Sequence, residues 1–322
     1  MQFPVELLKR CWFLAGPTAS GKSAAALELA NRLNAEILAL DSMTLYRGLD
    51  IGTAKPTAAE RQQVPHHLID VLEPEQEFTV ADYLKTSVAI CEEIVARGRT
   101  PLFVGGTGLY LRSLLRGVFQ GPPADIDFRC HAEARCQRDG PEALHAELAA
   151  VDAVTAARLH PNDIRRVIRA IEVYRLTGKP LSAQQAEGPR PVEERPPHVY
   201  WLDLPRDRLY TRIDQRVTTM LANGWIEEAE QLAQRTPAVG PTARQALGYQ
   251  ELFDWLDRGR IEPLAQVCDD IQARTRQFAK RQLTWFRNLP ECHPITLSGR
   301  EMPVEIAETI ERIAGTSSQT PR

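Results

Sequence analysis

The sequence predicts an α/β protein whose core is a P-loop-containing, doubly wound parallel sheet, with an all-helical insertion domain and a helical C-terminal part. Three observations predict this class. A phosphate-loop pattern at residues 16–23 lies between an apolar run and an amphipathic segment, and a second strand–glycine–helix pattern follows at residues 101–115. Residues 126–179 then show helical patterns and no strand pattern.

The phosphate-loop pattern reads GPTASGKS and matches G-x-x-x-x-G-K-[ST] at every fixed position. Glycines let several backbone N–H groups converge on one anion, and the following helix adds the positive end of its dipole. Lys22 would supply a mobile charge, and the Ser23 hydroxyl could hold Mg²⁺. The sequence therefore predicts a phosphate or pyrophosphate site at Gly16, Pro17, Thr18, Ala19, Ser20, Gly21, Lys22 and Ser23.

Strands and helices alternate through the first 120 residues, which is typical of a parallel, doubly wound core. One strand ends in Asp41 and Ser42, and the loop at residues 43–56 is long enough to be functional. Ligands of such sheets lie at the carboxyl ends of strands, so Asp41 is expected near the phosphate loop. The predicted strands are 11–15, 35–42, 66–71 and 101–104, and the predicted helices are 23–33, 79–97 and 109–115.

The predicted domains are a first core part at 1–120, a helical insertion at 121–198 and a second core part with C-terminal helices at 199–322. Gly121-Pro122-Pro123 ends the first part, and a Pro- and Glu-rich linker at 188–197 precedes a returning strand at 199–204. We expect disorder after residue 314. The predicted helices are 128–138, 141–151, 154–159, 163–177, 206–223, 225–234, 243–258, 261–288 and a weak one after 298.

Composition narrows the class of protein. The chain has 322 residues, 43% of them apolar and 25% charged, with a net charge of −3. No apolar run reaches the length of about 18 residues that spans a bilayer, so we expect a cytoplasmic protein without membrane contact. We also expect a monomer. The six cysteines show no metal spacing, and the pair His66-His67 has no third ligand in view. Any nucleic-acid contact must come from local basic patches.

Two residues are candidates for catalysis. A carboxylate beside a phosphate loop can coordinate Mg²⁺ or act as a general base, and Asp41 occupies that place. Thr107 lies in the glycine turn after the predicted strand 101–104, where a backbone approaches a ligand closely. Turn capping is the structural alternative for both residues.

Arginine clusters suggest where anions bind. Arg208 and Arg212 could reach the phosphate site from the helix after the returning strand. Arg165 and Arg169 share one helix face, and basic residues alternate with aromatic ones on the last long helix. A solvated charged face is the alternative in each case.

These residues alone favour a P-loop small-molecule kinase using ATP, with the insertion as a lid. A GTPase-like switch is disfavoured because no N-K-x-D sequence is present. A non-catalytic RNA-binding protein is also disfavoured, because it would have no use for the phosphate loop, Asp41 and Thr107.

A set of motifs in one order along the chain nevertheless resembles the tRNA dimethylallyltransferase family of the bacterial type. Each motif beyond the phosphate loop is weak alone, but the set is specific. They are GPTASGKS (16–23), DSMTLYRGLDIGTAKP (41–56), PHHLID (65–70), LFVGGTGLYLRSLL (102–115), HPNDIRRVIRAIEVYRLTGKP (160–180), RQALGYQE (244–251) and AKRQLTWFR (279–287).

The resemblance implies that a dimethylallyl group moves from dimethylallyl diphosphate to N6 of adenine 37 in the anticodon stem-loop of tRNAs reading codons that begin with U, with Mg²⁺ as cofactor. It implies that Asp41 is the general base, that Thr107 is its partner, and that the phosphate loop holds the diphosphate. It implies tRNA contacts at Asp41, Ser42, Met43, Thr44, Leu45, Thr107, Arg129, Asn162, Asp163, Ile164, Arg165, Arg166, Gln245, Ala246, Leu247, Gly248, Tyr249, Gln250, Lys280, Arg281, Gln282, Leu283, Thr284, Trp285, Phe286 and Arg287.

Overall fold

A computed structural model of the chain describes residues 1–184 and 188–317. The chain divides into two compact units. The helical unit comprises Met1 and Arg116–Pro189, and the sheet unit comprises Gln2–Leu115 and the chain from Arg190 onward. Within the described residues, no helix combines the length and apolar character needed to cross a membrane.

The sheet unit is built on a parallel sheet in which the described strands follow the order β3-β2-β4-β1-β5-β6. This confirms a mixed α/β fold with a parallel sheet. Strands β2, β3 and β4 lie on one side of β1, and β5 and β6 lie on the other. The loops that follow neighbouring parallel strands therefore meet at one edge of the sheet. The strands are β1 Trp12–Ala15, β2 Ala35–Leu40, β3 His66–His67, β4 Thr100–Gly105, β5 His198–Asp203 and β6 His293–Thr296.

Most predicted helices are present with small changes of boundary. The helices of the sheet unit are α1 Val5–Leu8, α2 Lys22–Leu33, α3 Ala58–Gln63, α4 Val80–Ala96, α5 Gly108–Arg116, α11 Arg206–Ala222, α12 Trp225–Ala233, α13 Pro241–Arg244, α14 Tyr249–Asp257, α15 Leu264–Arg287 and α16 Pro303–Ser317. The last residue of α5 falls in the helical unit. Those of the helical unit are α6 Ile126–Asp139, α7 Pro141–Val151, α8 Ala153–Ala156, α9 Ile164–Thr177 and α10 Leu181–Gln184.

Apolar clusters among the described residues stabilise the sheet unit, and two of them bear on the site. In one, Leu14 and Leu202 of the sheet pack with Leu29 of α2 and Ile310 of α16. The helical coverage explains why β2 is buried along its whole length and is apolar except for Glu36, which pairs with Arg97. The second cluster gathers α11, α12, α14 and α15 around the aromatic side chains of Tyr46, Trp225, Tyr249 and Phe253.

Glycines allow two close contacts that shape this unit. A Cβ at Gly105 would lie 2.1 Å from the Leu40 carbonyl oxygen, so only glycine lets β4 end against β2. Gly248 has φ +84° and would direct a Cβ into the Trp225 ring. The predicted single helix at 243–258 is therefore wrong, because the chain turns at Gly248 and forms α13 and α14 instead. The strand β6 and the short helices α1 and α3 were not predicted.

The unit boundaries differ from the predicted boundaries of 121 and 198. The Arg190 side chain is buried, and its guanidinium donates to the carbonyl oxygens of Leu115 at 2.9 Å and Phe3 at 2.8 Å. These two bonds attach Arg190 to the sheet unit, so the predicted linker at 188–197 packs with the core at this residue. The end of the chain forms α16 as far as Ser317, whereas the disorder expected for residues 318–322 lies outside the described residues.

The helical unit encloses a buried carboxylate. Glu172 of α9 is 0% exposed and accepts two hydrogen bonds from the Arg129 guanidinium, each at 2.8 Å. Arg169 and the Asp125 N–H donate to the same carboxylate. Burial acts to raise the pKa of Glu172, but these donors outweigh it and hold the pKa at about 2.

Glu172→Gln should destabilise the helical unit by about 3 kcal/mol, because two arginines lose their anionic partner. The folded-state pKa lies below the unfolded value, so the contribution of Glu172 is present above about pH 4.5 and is lost as the pH falls toward 2. Hydrogen exchange of the α9 amides between pH 2 and pH 7 measures this contribution. Glu133→Gln, at an exposed position of α6, is the control. Equal protection in both variants at pH 7 would contradict the assignment.

Candidate active site

The loop at residues 16–21 connects β1 to α2, as the sequence predicts. The Gly16 N–H donates to the Gly105 carbonyl oxygen at 3.2 Å, and the Ser20 N–H donates to the Pro17 carbonyl oxygen at 3.3 Å. Gly21 has φ +87° and immediately precedes α2. The curled backbone and the helix N-terminus form the arrangement that binds anions in other proteins.

Two cations and one carboxylate interact beside this loop. The Lys22 ammonium group donates to the Pro17 carbonyl oxygen at 3.2 Å. Desolvation and the nearby positive charge of Arg216 lower the pKa of Lys22 to about 8, while Asp41 acts in the opposite direction. Desolvation also lowers the pKa of Arg216, again opposed by Asp41. Two desolvated cations that share one carboxylate favour the binding of a further anion.

Asp41 and Thr107 are brought together by the neighbouring strands β2 and β4. The carboxylate Oδ1 of Asp41 accepts a hydrogen bond from the Met43 N–H at 2.8 Å. The next residue, Ser42, donates its N–H to the Thr107 hydroxyl oxygen at 3.2 Å. The Thr107 N–H in turn donates to the Leu40 carbonyl oxygen at 3.1 Å. The predicted catalytic pair therefore lies at one edge of the sheet.

A cavity of about 560 Å³ joins these groups. Its polar side includes Thr18, Lys22, Ser23, Asp41, Thr107 and Arg216. The remaining wall is largely apolar and includes Leu27, Ile37, Val104, Ile213, Val217 and Phe278. The site can thus hold an anion and an apolar group at the same time.

The prediction that Arg208 lines the anion site is wrong. Arg208 is exposed, does not line the cavity and packs against Gly299. Arg212 supports the phosphate loop, because its guanidinium donates to the carbonyl oxygens of Ser20 at 3.5 Å and Gly299 at 2.7 Å. The arginine that lines the cavity is Arg216, which shares a face of α11 with Arg208 and Arg212 because it follows them by eight and four residues.

The predicted RNA contacts on α15 fall on two faces of the helix. Lys280, Arg281, Thr284 and Arg287 are exposed, and Trp285 is half-buried. Leu283 and Phe286 are core residues, so their prediction as contacts is wrong. A run of consecutive helical residues covers both faces, which is why the prediction combined them. Gln282 is buried as well.

Similar corrections apply to two other segments. Ser42, Met43 and Thr44 line the cavity, but Leu45 is 1% exposed and packs inside the protein. Gln245, Ala246 and Leu247 also line the cavity, and Gln250 is half-buried. Tyr249 is fully buried, and its hydroxyl donates to Glu228 while accepting from the Gly52 N–H at 3.0 Å. Leu45 and Tyr249 therefore have structural roles, as does Gly248 at its turn.

In the helical unit, the predicted contacts lie at the start of α9. Asn162, Arg165 and Arg166 are exposed, and Asp163 forms an ion pair with Arg166 at 3.0 Å. Ile164 packs against the apolar core of this unit. Arg129, predicted as a further contact, uses its guanidinium to neutralise the buried Glu172.

The residues around the loop fit a phosphate group and Mg²⁺. The curled backbone before α2 and the Lys22 ammonium group supply hydrogen-bond donors for a phosphate group. No group of three His, Cys, Asp or Glu side chains in the described part of the chain could hold a metal alone. Mg²⁺ in phosphate sites commonly uses one or two protein oxygens with phosphate and water, and the Ser23 hydroxyl can supply one of them.

Comparison with known proteins identifies the family. The model described as IPP transferase matches residues 44–289, and the model described as isopentenyl transferase matches residues 9–72. A curated tRNA dimethylallyltransferase 1 of Trichlorobacter lovleyi is 48% identical over 87% of this chain and 92% of its own length. The tRNA dimethylallyltransferase of Pelotomaculum thermopropionicum is 42% identical, covering 93% of this chain and 94% of its own.

Solved structures agree. The tRNA isopentenylpyrophosphate transferase of Bacillus halodurans is 40% identical and covers 97% of both chains, with a TM-score of 0.70. A eukaryotic dimethylallyltransferase acting on tRNA is 27% identical and covers 89% of this chain and 74% of its own, with a TM-score of 0.71. The chain therefore belongs to the IPP transferase family, that of the tRNA dimethylallyltransferases.

Proposed function

We propose that this protein transfers the dimethylallyl group of dimethylallyl diphosphate to N6 of adenine 37 in tRNAs that read codons beginning with U, and releases diphosphate. The observation that carries this proposal is the cavity in which the phosphate loop, Asp41 and an apolar wall meet. Membership of the family supports the transfer of a dimethylallyl group to tRNA.

The cations of the cavity act on the leaving group. Breaking the allylic C1–O bond leaves positive charge on the dimethylallyl carbon and negative charge on the diphosphate. Lys22, Arg216 and the N–H groups at the start of α2 offset that negative charge with groups already in place. A bound Mg²⁺ would neutralise part of the same charge, with the Ser23 hydroxyl as its protein ligand.

The apolar wall receives the hydrocarbon part of the substrate. Leu27, Ile37 and Val104 line the cavity together with the phosphate loop. Burial of a small branched hydrocarbon against such side chains is favourable by roughly 25 cal/mol for each Å² removed from water. The wall also limits water, which would otherwise compete with the amine for the allylic carbon.

Asp41 serves as the base for the incoming amine. The adenine N6 amine is a weak nucleophile because its lone pair is delocalised into the ring, so proton removal must accompany bond formation. The Met43 N–H holds Oδ1 of Asp41, which leaves Oδ2 to accept that proton. Thr107 fixes the backbone beside Asp41 through Ser42, and its own hydroxyl hydrogen can be donated to the substrate.

The adenine must leave its stack to reach Asp41. Enzymes that act on a base commonly extrude it into a pocket, and unpaired bases stack on aromatic and guanidinium groups. Phe278 and Arg281 line the cavity, with the Arg281 guanidinium 5.8 Å from the centre of the Phe278 ring. Exposed basic residues of α15 and of α9 offer further contacts to the RNA backbone. Such patches are local, which accommodates a net charge of −3.

The direct test mixes the protein with Mg²⁺, radiolabelled dimethylallyl diphosphate and an unmodified tRNA, and counts label in RNA. We expect labelling that is lost when adenine 37 is replaced. ATP hydrolysis is measured in parallel, because a small-molecule kinase was the alternative and no comparison supports it. Steady ATP turnover without RNA labelling would refute the proposal.

Asp41→Asn should lower kcat by roughly 10²- to 10⁴-fold, since the amide keeps the shape of the side chain but cannot accept the proton. Binding of tRNA, measured by filter retention, should change little. Asp207→Asn is the matched control, because Asp207 is exposed on the first turn of α11 and does not line the cavity. A rate for Asp41→Asn within a few-fold of wild type would exclude Asp41 as the base.

Arg216→Gln should weaken the binding of pyrophosphate roughly 10- to 100-fold, because a desolvated cation that faces the anion is lost. Isothermal titration calorimetry measures this affinity directly. Arg208→Gln removes an arginine two turns earlier on the same helix face, outside the cavity, and should leave the affinity unchanged. The opposite ranking would show that the anion lies nearer the start of α11.

A further inference from the structure

One buried glutamine of α15 connects the two glycine-rich turns of the active site. Gln282 is 4% exposed. Its Oε1 accepts a hydrogen bond from the Thr18 N–H at 2.9 Å, and its Nε2 donates to the Gly106 carbonyl oxygen at 2.9 Å. Because an amide carries its acceptor and its donors on separate atoms, only one orientation satisfies both turns.

The second glycine-rich turn, which carries Thr107, packs closely against α15. A Cβ at Gly106 would lie 2.1 Å from Nε2 of Gln282. A Cβ at Gly108 would lie 2.6 Å from the Trp285 ring. The turn that carries Thr107 is thus pressed directly against α15, and its position follows that of the glutamine amide.

The two turns carry groups whose separation matters for the reaction. Thr18 belongs to the loop that would hold the departing diphosphate. The hydroxyl oxygen of Thr107 accepts the Ser42 N–H and thereby fixes the backbone next to Asp41. Misplacing reacting groups by about 1 Å can cost about 100-fold in rate, even when the changed residue does not contact the reacting atoms.

We propose that Gln282 is a positioning residue that holds the phosphate loop and the Thr107 turn at the separation that aligns dimethylallyl diphosphate with Asp41. This inference rests on the proposed function. Gln282 lines the cavity, but both polar atoms of its amide bond to the two turns, and its positioning role is exerted through Thr18 and Thr107.

Two variants separate the donor from the acceptor. Gln282→Met keeps the length of the side chain and loses both hydrogen bonds, whereas Gln282→Glu keeps the acceptor for Thr18 and loses the donor to Gly106. Gln272→Met is the control, because Gln272 lies on the same helix and its amide bonds to the Asp214 carbonyl oxygen at 3.2 Å, away from the cavity. Circular dichroism and thermal unfolding confirm that each variant is folded.

Gln282→Met should lower kcat for RNA labelling by roughly 10- to 100-fold, with a change of less than about threefold in KM for the RNA. Gln282→Glu should fall between Gln282→Met and wild type. The control Gln272→Met should stay within about twofold of wild type. If Gln282 had a purely structural role, Gln282→Met and Gln272→Met would change the thermal unfolding alike and would have similar kcat values.

A double-mutant cycle tests whether Gln282 acts through the second turn. Thr107→Ala removes the hydroxyl that Gln282 is proposed to position, so the kcat loss of the double variant should be smaller than the product of the single losses. Gln282→Met combined with Arg208→Gln should give the product, since Arg208 lies outside the cavity.

Three results would overturn the inference: kcat values of both Gln282 variants within threefold of wild type, a full product of losses with Thr107→Ala, or a KM for RNA that accounts for the whole effect. Wild-type protein that fails to label RNA would instead refute the proposed function. In that case the affinity for pyrophosphate, measured in the presence of Mg²⁺, tests the positioning role. Gln282→Met should weaken this affinity, and Gln272→Met should not. Equal affinities would overturn the inference.

Discussion

The placing of two desolvated cations, Lys22 and Arg216, in one cavity is the constraint on which the site depends. Both groups are desolvated, and both have pKa values below those of free side chains. Asp41 neutralises one of the two positive charges, so one net positive charge remains among the three groups. The sheet unit maintains this imbalance by presenting the N-terminus of α2, the middle of α11 and the end of β2 to one cavity. The arrangement makes binding of an anion favourable before any substrate arrives.

Sequence patterns predicted the parts of the site that depend on local backbone. The phosphate loop, Asp41 and Thr107 each follow a strand, and parallel strands present such residues at a common edge. The choice among Arg208, Arg212 and Arg216 could not be made, because residues at i, i+4 and i+8 share one helix face. Which of them meets the anion depends on where α11 passes the loop, and that is set by packing with α15.

The fold was predicted well where the sequence pattern is local. It was predicted less well where residues distant in sequence determine the local structure. Gly248 looked tolerable inside a helix, but the Trp225 ring against its α-carbon fixes a turn there. The edge strand β6 has one buried residue in four, too weak a pattern to recognise. The domain boundary near residue 190 depends on hydrogen bonds from Arg190 to Leu115 and Phe3, which no local pattern reveals.

Those bonds also bear on how the protein could have been assembled. The chain leaves the sheet unit after Leu115 and returns at Arg190, and the Arg190 Nε lies 2.9 Å from the Leu115 carbonyl oxygen. The exit and entry points are therefore neighbours, so a short turn could replace the whole helical unit without stretching the sheet. A module attached at two adjacent points can be exchanged, lengthened or lost while the sheet unit is kept. In a protein of this construction, the helical unit and the cavity of the sheet unit are free to diverge at different rates.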